Sequence, residues 1–162
     1  MPLAAIALSA GLVLSPLQAD IAQRVAGEGK PQCTAYQDDE RGAPCLPAFE
    51  VTAGVHVNAW AEGEHIRFSR AAVMQLTADE FALLAGHEVA HYFLGHTASS
   101  PENELAADRL GAELACKAGY DPAAGLSLLR FLAAGPTHPP RSLRRAAILS
   151  VPCTPSYRAF AR

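Results

Sequence analysis

Hydrophobic residues follow two different patterns along this chain. Phe49 to Val57 and Trp60 to Phe68 are short segments rich in β-branched and aromatic residues, interrupted at Gly54 and at Glu62-Gly63-Glu64. Segments of this composition predict short strands or a hairpin. The first half of the chain is therefore predicted to form a small sheet, preceded by one short helix at Asp20 to Ala26.

The second half of the chain has a helical pattern. Thr77-Ala78-Asp79-Glu80 has the form of a capping box, and the largely apolar helix behind it is predicted to end near Gly95. Ser100 to Lys117, Asp121 to Gly135 and Ser142 to Leu149 are the next three predicted helices. Ser-Pro or Asp-Pro at the start of a helix supplies a cap followed by a proline in the first turn. Strands followed by helices predict an α+β fold.

The N-terminal segment has no charged residue between Met1 and Ala19, and Leu3 to Leu14 is almost entirely apolar. This pattern resembles the apolar region of a signal peptide, although no Lys or Arg precedes it, and Ala19 offers a small residue at a cleavage point. Residues 1–19 are therefore predicted to be a signal peptide and residues 20–162 a single domain in the periplasm or outside the cell. An uncleaved membrane anchor or a buried N-terminal helix is the alternative.

The four cysteines bear on the same prediction. No two of them have C-x-x-C spacing, which argues against a zinc ribbon; they are Cys33, Cys45, Cys116 and Cys153. An even number of cysteines in an exported chain predicts two disulfides. Three pairings are open, and we expect Cys33–Cys45 across the polar loop Gly27 to Pro47, with Cys116–Cys153 joining the C-terminal tail to a helix. Four reduced, buried thiols are the alternative.

Composition and charge narrow the classes of function. The chain has 162 residues, of which 50% are hydrophobic and 18% charged, an ordinary balance for one globular domain. Its formal net charge of −3 provides no basic field for a nucleic-acid partner.

The segment HEVAH carries the clearest chemical signal. His87 and His91 are four residues apart on a predicted helix, so both imidazoles lie on one face about one turn apart and can bind one ion. Glu88 lies beside them, where it can reach a water on that ion. This is the H-E-x-x-H pattern of zinc peptidases. A helix with two ordinary surface histidines is the alternative interpretation.

The next predicted helix offers a further ligand. A catalytic zinc site uses three protein ligands and keeps one position open. Glu104 and Asp108 are four residues apart on one helix face, so packing of the two helices would bring Glu104 to the ion. Asp108, one turn further on, could then orient a ligand histidine. Glu102 is the other candidate for the third ligand. For Glu104 and Asp108, the alternative interpretation is an acidic helix face exposed to solvent.

Together, these motifs resemble a known family. HEVAH followed by E-x-x-A-D-R-x-G at Glu104 to Gly111 is similar to the gluzincin endopeptidases related to HtpX, BepA and the CAAX prenyl protease. Four further segments match in the family's order between Val57 and Ala147: Asn58 to Ala61, His65 to Ser69, Gly119 to Pro122 and Thr137 to Pro140, the last followed by Arg144 or Arg145. The chain departs from the family in having no multi-span membrane region and no repeat domain. The ImmA-like peptidases are a second, less complete comparison.

The resemblance implies a compact zincin-like domain, in which a short sheet or hairpin precedes a helical bundle carrying the H-E-x-x-H helix. It implies one Zn²⁺ per chain on His87, His91 and Glu104, with Glu88 as general base and Asp108 in support. His138 would lie on a loop near the metal and either stabilise an oxyanion or occupy the open position. A turn histidine without a catalytic role is the alternative for His138.

The resemblance also implies how a substrate would bind. Asn58, Ala59, Trp60 and Ala61 would form an edge strand that pairs with an unfolded or extended polypeptide. The expected activity is zinc-dependent hydrolysis of peptide bonds in exported or envelope proteins, near a membrane if the N-terminal segment stays attached. The alternative is a quality-control or client-binding factor in which zinc is structural or rarely used. His96 is interpreted as a cap at the helix C-terminus, and His56 and His65 as surface or strand residues.

Overall fold

The computed structural model describes residues 12–29, 46–132 and 135–154. Within these residues, three strands form one sheet and helices form the rest of the regular structure, which confirms the predicted α+β class. The elements in chain order are α1 (Pro16–Glu28), β1 (Ala48–Thr52), β2 (Ala59–Glu62), β3 (His65–Ser69), α2 (Arg70–Gln75), α3 (Ala78–Leu94), α4 (Pro101–Lys117), a 3₁₀ helix (Ala124–Arg130) and α5 (Arg141–Leu149).

The sheet has the strand order β1-β3-β2. Strand β2 runs antiparallel to β3, and the two form the predicted hairpin, with Gly63 at a φ of 57° in the turn. Strand β1 is parallel to β3 and ends at Thr52, five residues before the predicted end. It ends early because the Gly54 carbonyl accepts a hydrogen bond from the Ala71 N–H at 3.1 Å, which turns the chain towards α2. Among the described strands, β3 lies in the centre of this order, so β2 lies at an edge of the sheet.

Helix α1 begins earlier than predicted. Ser15 caps it by accepting a hydrogen bond from the Gln18 N–H, so the helix passes through the proposed cleavage point between Ala19 and Asp20. All of its buried residues follow that point: Ile21, Ala22, Val25 and Ala26. The part of α1 that packs into the core thus belongs to the predicted mature domain, and cleavage itself stays a prediction.

Helix α3 is the central element and begins and ends where predicted. Thr77 and Glu80 form both hydrogen bonds of the capping box, and Gly95 ends the helix in the left-handed conformation with a φ of 66°. The helix packs against α1, α4, the 3₁₀ helix and β2, which explains why it is apolar on most of its surface.

Helices α3 and α4 cross in direct backbone contact. Helix α4 begins at the predicted Ser100-Pro101 cap. A Cβ added to Gly111 would lie 2.6 Å from the backbone nitrogen of His87, and a Cβ on Gly86 would collide with the Gly111 carbonyl. Two glycines therefore allow the helices to approach at the level of His87.

The prediction of an α-helix at Asp121 to Gly135 was wrong, since the described part of this segment forms only the short 3₁₀ helix. The Asp121 carboxylate accepts a hydrogen bond from the Ala123 N–H at 2.8 Å, and the Asp121 N–H donates to the Asp79 side chain at 2.9 Å. Gly125 lies so close to α3 that a Cβ would be 2.7 Å from the Asp79 carbonyl. These contacts hold the segment against the start of α3 and explain why it does not continue as an α-helix.

A disulfide joins Cys116 at the end of α4 to Cys153 in the C-terminal segment, as predicted, with a Cα–Cα distance of 5.8 Å. The expected Cys33–Cys45 pairing lies outside the described residues. A disulfide is compatible with an oxidising compartment. Among the described helices, none has the length and apolarity needed to cross a bilayer.

Candidate metal centre

Three side chains from α3 and α4 converge on one point. His87 and His91 lie on successive turns of α3, with their Nε2 atoms 3.0 Å apart. Glu104, from the first turns of α4, places Oε2 at 3.3 Å from His87 Nε2 and Oε1 at 3.4 Å from His91 Nε2. Glu104 is buried whereas Glu102 is exposed, so the structure brings the predicted third ligand to the histidines and leaves its competitor in solvent.

The arrangement fits a divalent metal ion. Four-coordinate zinc bonds nitrogen and oxygen at about 2.0–2.2 Å, so its donor atoms lie about 3.3–3.6 Å apart. The distances of 3.0, 3.3 and 3.4 Å are close to that spacing. In addition, Glu104 is buried and the contact of its Oε2 with His87 Nε2 is long, at 3.3 Å, so a cation at this point would stabilise the carboxylate further. His87, His91 and Glu104 therefore form a cluster that could hold a metal ion.

Charge reinforces the site. Burial opposes ionisation of Glu104, but hydrogen bonds with His87 and His91 hold its pKa well below the ordinary value. Burial alone would lower the pKa of His87, but hydrogen bonds with Asp108 and Glu104 raise it to about 9. In the absence of an ion, a proton on His87 thus takes the place of the positive charge that the two carboxylates attract.

Asp108 lies behind His87, as predicted, with Oδ1 at 3.0 Å from the outer nitrogen Nδ1. Arg144 from α5 donates to both oxygens of Asp108, at 2.8 Å from Nε and 2.6 Å from Nη2. Burial opposes ionisation of Asp108, but these bonds and the one with His87 keep its pKa low. Of the two arginines that matched the family pattern, Arg144 is buried in this network and Arg145 is exposed. The network holds the imidazole of His87 in one orientation.

Glu88 is buried beside the cluster with 6% of its surface exposed. Burial raises its pKa, while the neighbouring imidazoles of His87 and His91 favour the ionised form and only partly offset burial. Two adjoining cavities, of about 470 and 340 Å³, are both lined by Glu88, His87 and Glu104. Either cavity therefore gives access to Glu88 together with His87 and Glu104, and the smaller one also reaches His91.

The predicted substrate strand forms one wall of the smaller cavity. Ala59, Trp60 and Ala61 lie on the edge strand β2, and Asn58 directly precedes it. The backbone of Asn58 is already paired with Ser69, because its N–H donates to the Ser69 hydroxyl and its carbonyl accepts from the Ser69 N–H. The open edge beside the candidate ligands is therefore that of β2 itself.

His138 lies at the mouth of both cavities. Its Nε2 is 3.9 Å from Glu104 Oε2, its side chain is 44% exposed, and its Nδ1 contacts the Thr137 hydroxyl at 2.9 Å. The structure thus brings His138 near the cluster, while its catalytic role stays a prediction. The two histidines of the strand region lie apart from the three ligands. His65 pairs with Glu50 in the sheet, and His56 is exposed at the rim of the larger cavity.

Sequence reasoning missed the side chain of His96. Its backbone N–H bonds the His91 carbonyl at 3.1 Å, as expected for a residue that caps the helix. Its ring, however, turns back and places Nδ1 at 2.9 Å from Nδ1 of His91. The signal available in the sequence was Gly95, because a left-handed glycine at a helix end reverses the chain direction and brings the next side chain against the last turn.

Comparisons with known proteins add no name to this site. No protein-family model matches the chain, and no curated protein matches its sequence.

Proposed function

We propose that this protein is a zinc metalloendopeptidase of the gluzincin kind, with His87, His91 and Glu104 as the ligands of one zinc ion per chain. The observation that carries the proposal is the convergence of these ligand atoms, at 3.0 to 3.4 Å from one another, beside a buried carboxylate and an open strand edge. The ordered resemblance of HEVAH, Glu104 to Gly111 and Thr137 to Pro140 to the HtpX and BepA family supports the same reading.

The ligand set favours a catalytic over a structural zinc site. Structural zinc is closed by four protein ligands, whereas catalytic zinc keeps one position for water or substrate. Here three protein groups converge and the adjoining cavities reach them from outside. A zinc ion bound there would supply a Lewis acid and lower the pKa of a water molecule.

Glu88 is the proposed general base. A carboxyl group transfers protons most effectively when its pKa lies near the working pH, and burial raises the pKa of Glu88 in that direction. The carboxylate would take a proton from the attacking water and later deliver it to the leaving amine. Its position next to His87 in the chain, on the same helix, keeps it close to the ligands.

The open edge of β2 is the proposed substrate-binding strand. Ala61 and Glu88 line the smaller cavity together, and the Ala61 backbone is close enough to Glu88 to lower its pKa, so this edge of the strand faces the catalytic carboxylate. Backbone groups of alternate residues in a strand point to the same side, which places those of Ala59 on that edge as well. An extended polypeptide that pairs with β2 would therefore lie across the ligands, and unfolded or extended polypeptides are the proposed substrates.

His138 is the proposed second catalytic group. A half-exposed imidazole at the cavity mouth can donate a hydrogen bond to the oxygen of a carbonyl under attack.

The exported location proposed for the protein agrees with the Cys116–Cys153 disulfide.

The proposal is tested with purified chain carrying Glu88→Gln, assayed for metal content and for cleavage of casein. We expect the variant to bind one zinc ion and to lose hydrolysis, because the amide keeps the shape of the carboxylate and cannot take a proton. Glu102→Gln on exposed α4 surface is the matched control and should retain cleavage. Full activity of Glu88→Gln would contradict the assignment, and wild-type protein with zinc but no chelator-sensitive cleavage would favour a client-binding factor.

A further inference from the structure

The turn after α3 places one more histidine against the metal cluster. Gly95 adopts the left-handed conformation, and the N–H groups of Gly95 and His96 bond the Tyr92 and His91 carbonyls at 3.2 and 3.1 Å. The chain therefore reverses, and the ring of His96 lies edge-on to that of His91, with centroids 5.1 Å apart and planes at 69°. In this arrangement the Nδ1 atoms of His91 and His96 lie 2.9 Å apart.

The contact involves the ring nitrogen of His91 that faces away from the ligands. His91 directs Nε2 towards His87 and Glu104, so a metal ion would bind Nε2 and the proton of the neutral ring would reside on Nδ1. An N–H buried at a metal site needs an acceptor, and that acceptor determines the tautomer and the orientation of the ring. Nδ1 of His96, at 2.9 Å, is placed to accept it.

We infer that His96 is a positioning residue for the metal ligand His91, accepting the Nδ1–H of His91 in the way that Asp108 accepts that of His87. The inference rests on the proposed function, since His91 needs this support as a metal ligand. His96 acts as a neutral imidazole whose own proton is on Nε2. In that form it lines the smaller cavity beside Thr97 to Ser99.

Substitutions of His96 separate its ring from its backbone. His96→Ala removes the acceptor but keeps the backbone N–H that bonds the His91 carbonyl, so the end of α3 is preserved. His96→Gln supplies an amide oxygen that can accept the same proton. His65→Ala is the matched control, because it removes a histidine that contacts Glu50 on the sheet and lines neither cavity at the cluster.

The first measurement is the zinc affinity of the full chain, by competition with a chromophoric chelator. Loss of a hydrogen-bond partner behind a metal-ligating histidine weakens metal binding by about 10–100-fold. We expect a loss of at least about ten-fold for His96→Ala, substantial recovery for His96→Gln, and no change for His65→Ala. Equal affinity in wild type and His96→Ala would overturn the inference.

The second measurement is the protonation pattern of the rings, from ¹H–¹⁵N correlation spectra of zinc-loaded protein labelled at histidine. We expect a proton on Nδ1 of His91 and none on Nδ1 of His96. A proton on Nδ1 of His96 would overturn the inference, because that nitrogen could not then accept.

These results also separate the inference from the proposed function. Wild-type protein that binds zinc tightly without hydrolysing peptides would contradict the peptidase and leave the role of His96 standing. Wild-type protein that binds no zinc would overturn both proposals.

Discussion

The two candidate ligand histidines are supported in different ways. Behind His87, the Asp108 carboxylate is held by two hydrogen bonds from Arg144, and both side chains are almost fully buried. Behind His91 there is the imidazole of His96, which is only partly buried at the end of α3. The two supports therefore differ in how much folding stability depends on them. Removing Asp108 leaves the buried charge of Arg144 without a partner, whereas removing the half-buried neutral ring of His96 leaves no buried charge.

The largest effect is expected from Asp108→Ala. The change leaves the buried Arg144 without its partner, and uncompensated buried charges cost about 3–5 kcal/mol. We expect the free energy of unfolding of the metal-free protein, measured in urea, to fall by about that amount. Glu113→Ala on the same helix removes only an exposed pair with Lys117 and should cost less than about 1 kcal/mol. If both variants lost only a small and similar free energy of unfolding, the support behind His87 would be no stronger than that behind His91.

The next effect tests whether helix contact places Glu104. Gly111→Ala adds a methyl group 2.6 Å from the backbone nitrogen of His87, so α3 and α4 must separate. Overpacking of this kind costs about 1–3 kcal/mol, and we expect zinc affinity to fall with it. Gly27→Ala is the control, since its new Cβ would meet nothing within 4 Å. Unchanged zinc binding in Gly111→Ala would show that the glycine contact does not set the ligand distances.

A pH dependence of zinc binding follows from the pKa of His87. Burial alone would lower it, but hydrogen bonds with Asp108 and Glu104 raise it to about 9, so the metal-free site carries a proton on His87 at neutral pH. Zinc must displace that proton, so apparent affinity should rise about ten-fold per pH unit between about pH 7 and 9 and level off above. The measurement is isothermal titration calorimetry in buffers of different ionisation enthalpy, which counts released protons. Binding without proton release at pH 7 would contradict the raised pKa.

The smallest effect is expected from His96→Ala on stability. The ring contributes one hydrogen bond at a partly solvated position, and such bonds contribute about 0.5–1.5 kcal/mol. The urea midpoint of the metal-free variant should therefore shift far less than that of Asp108→Ala, although zinc affinity falls clearly. If His96→Ala lost as much stability as Asp108→Ala, the supports behind His91 and His87 would be equally important for folding.

Local features of the fold were predictable because they depend on neighbouring residues. The Thr77 and Glu80 capping box, the Ser100-Pro101 start of α4 and the end of α3 at Gly95 were confirmed. The Asp121-Pro122 signal was misleading, since it indicates a local turn that can begin an α-helix. Contacts with Asp79, 42 residues away, decide that the segment becomes a 3₁₀ helix instead.

The sequence by itself determined the pairs within each helix. A spacing of four residues places His87 with His91, and Glu104 with Asp108, on shared helix faces whatever surrounds them. Only the tertiary structure decided which groups meet across helices. The backbone contact at Gly86 and Gly111 brings α4 against α3 at the level of His87, and Arg144 from α5 holds Asp108. Helical spacing is a local property of the backbone, whereas the crossing point of two helices depends on side-chain volumes far apart in the chain.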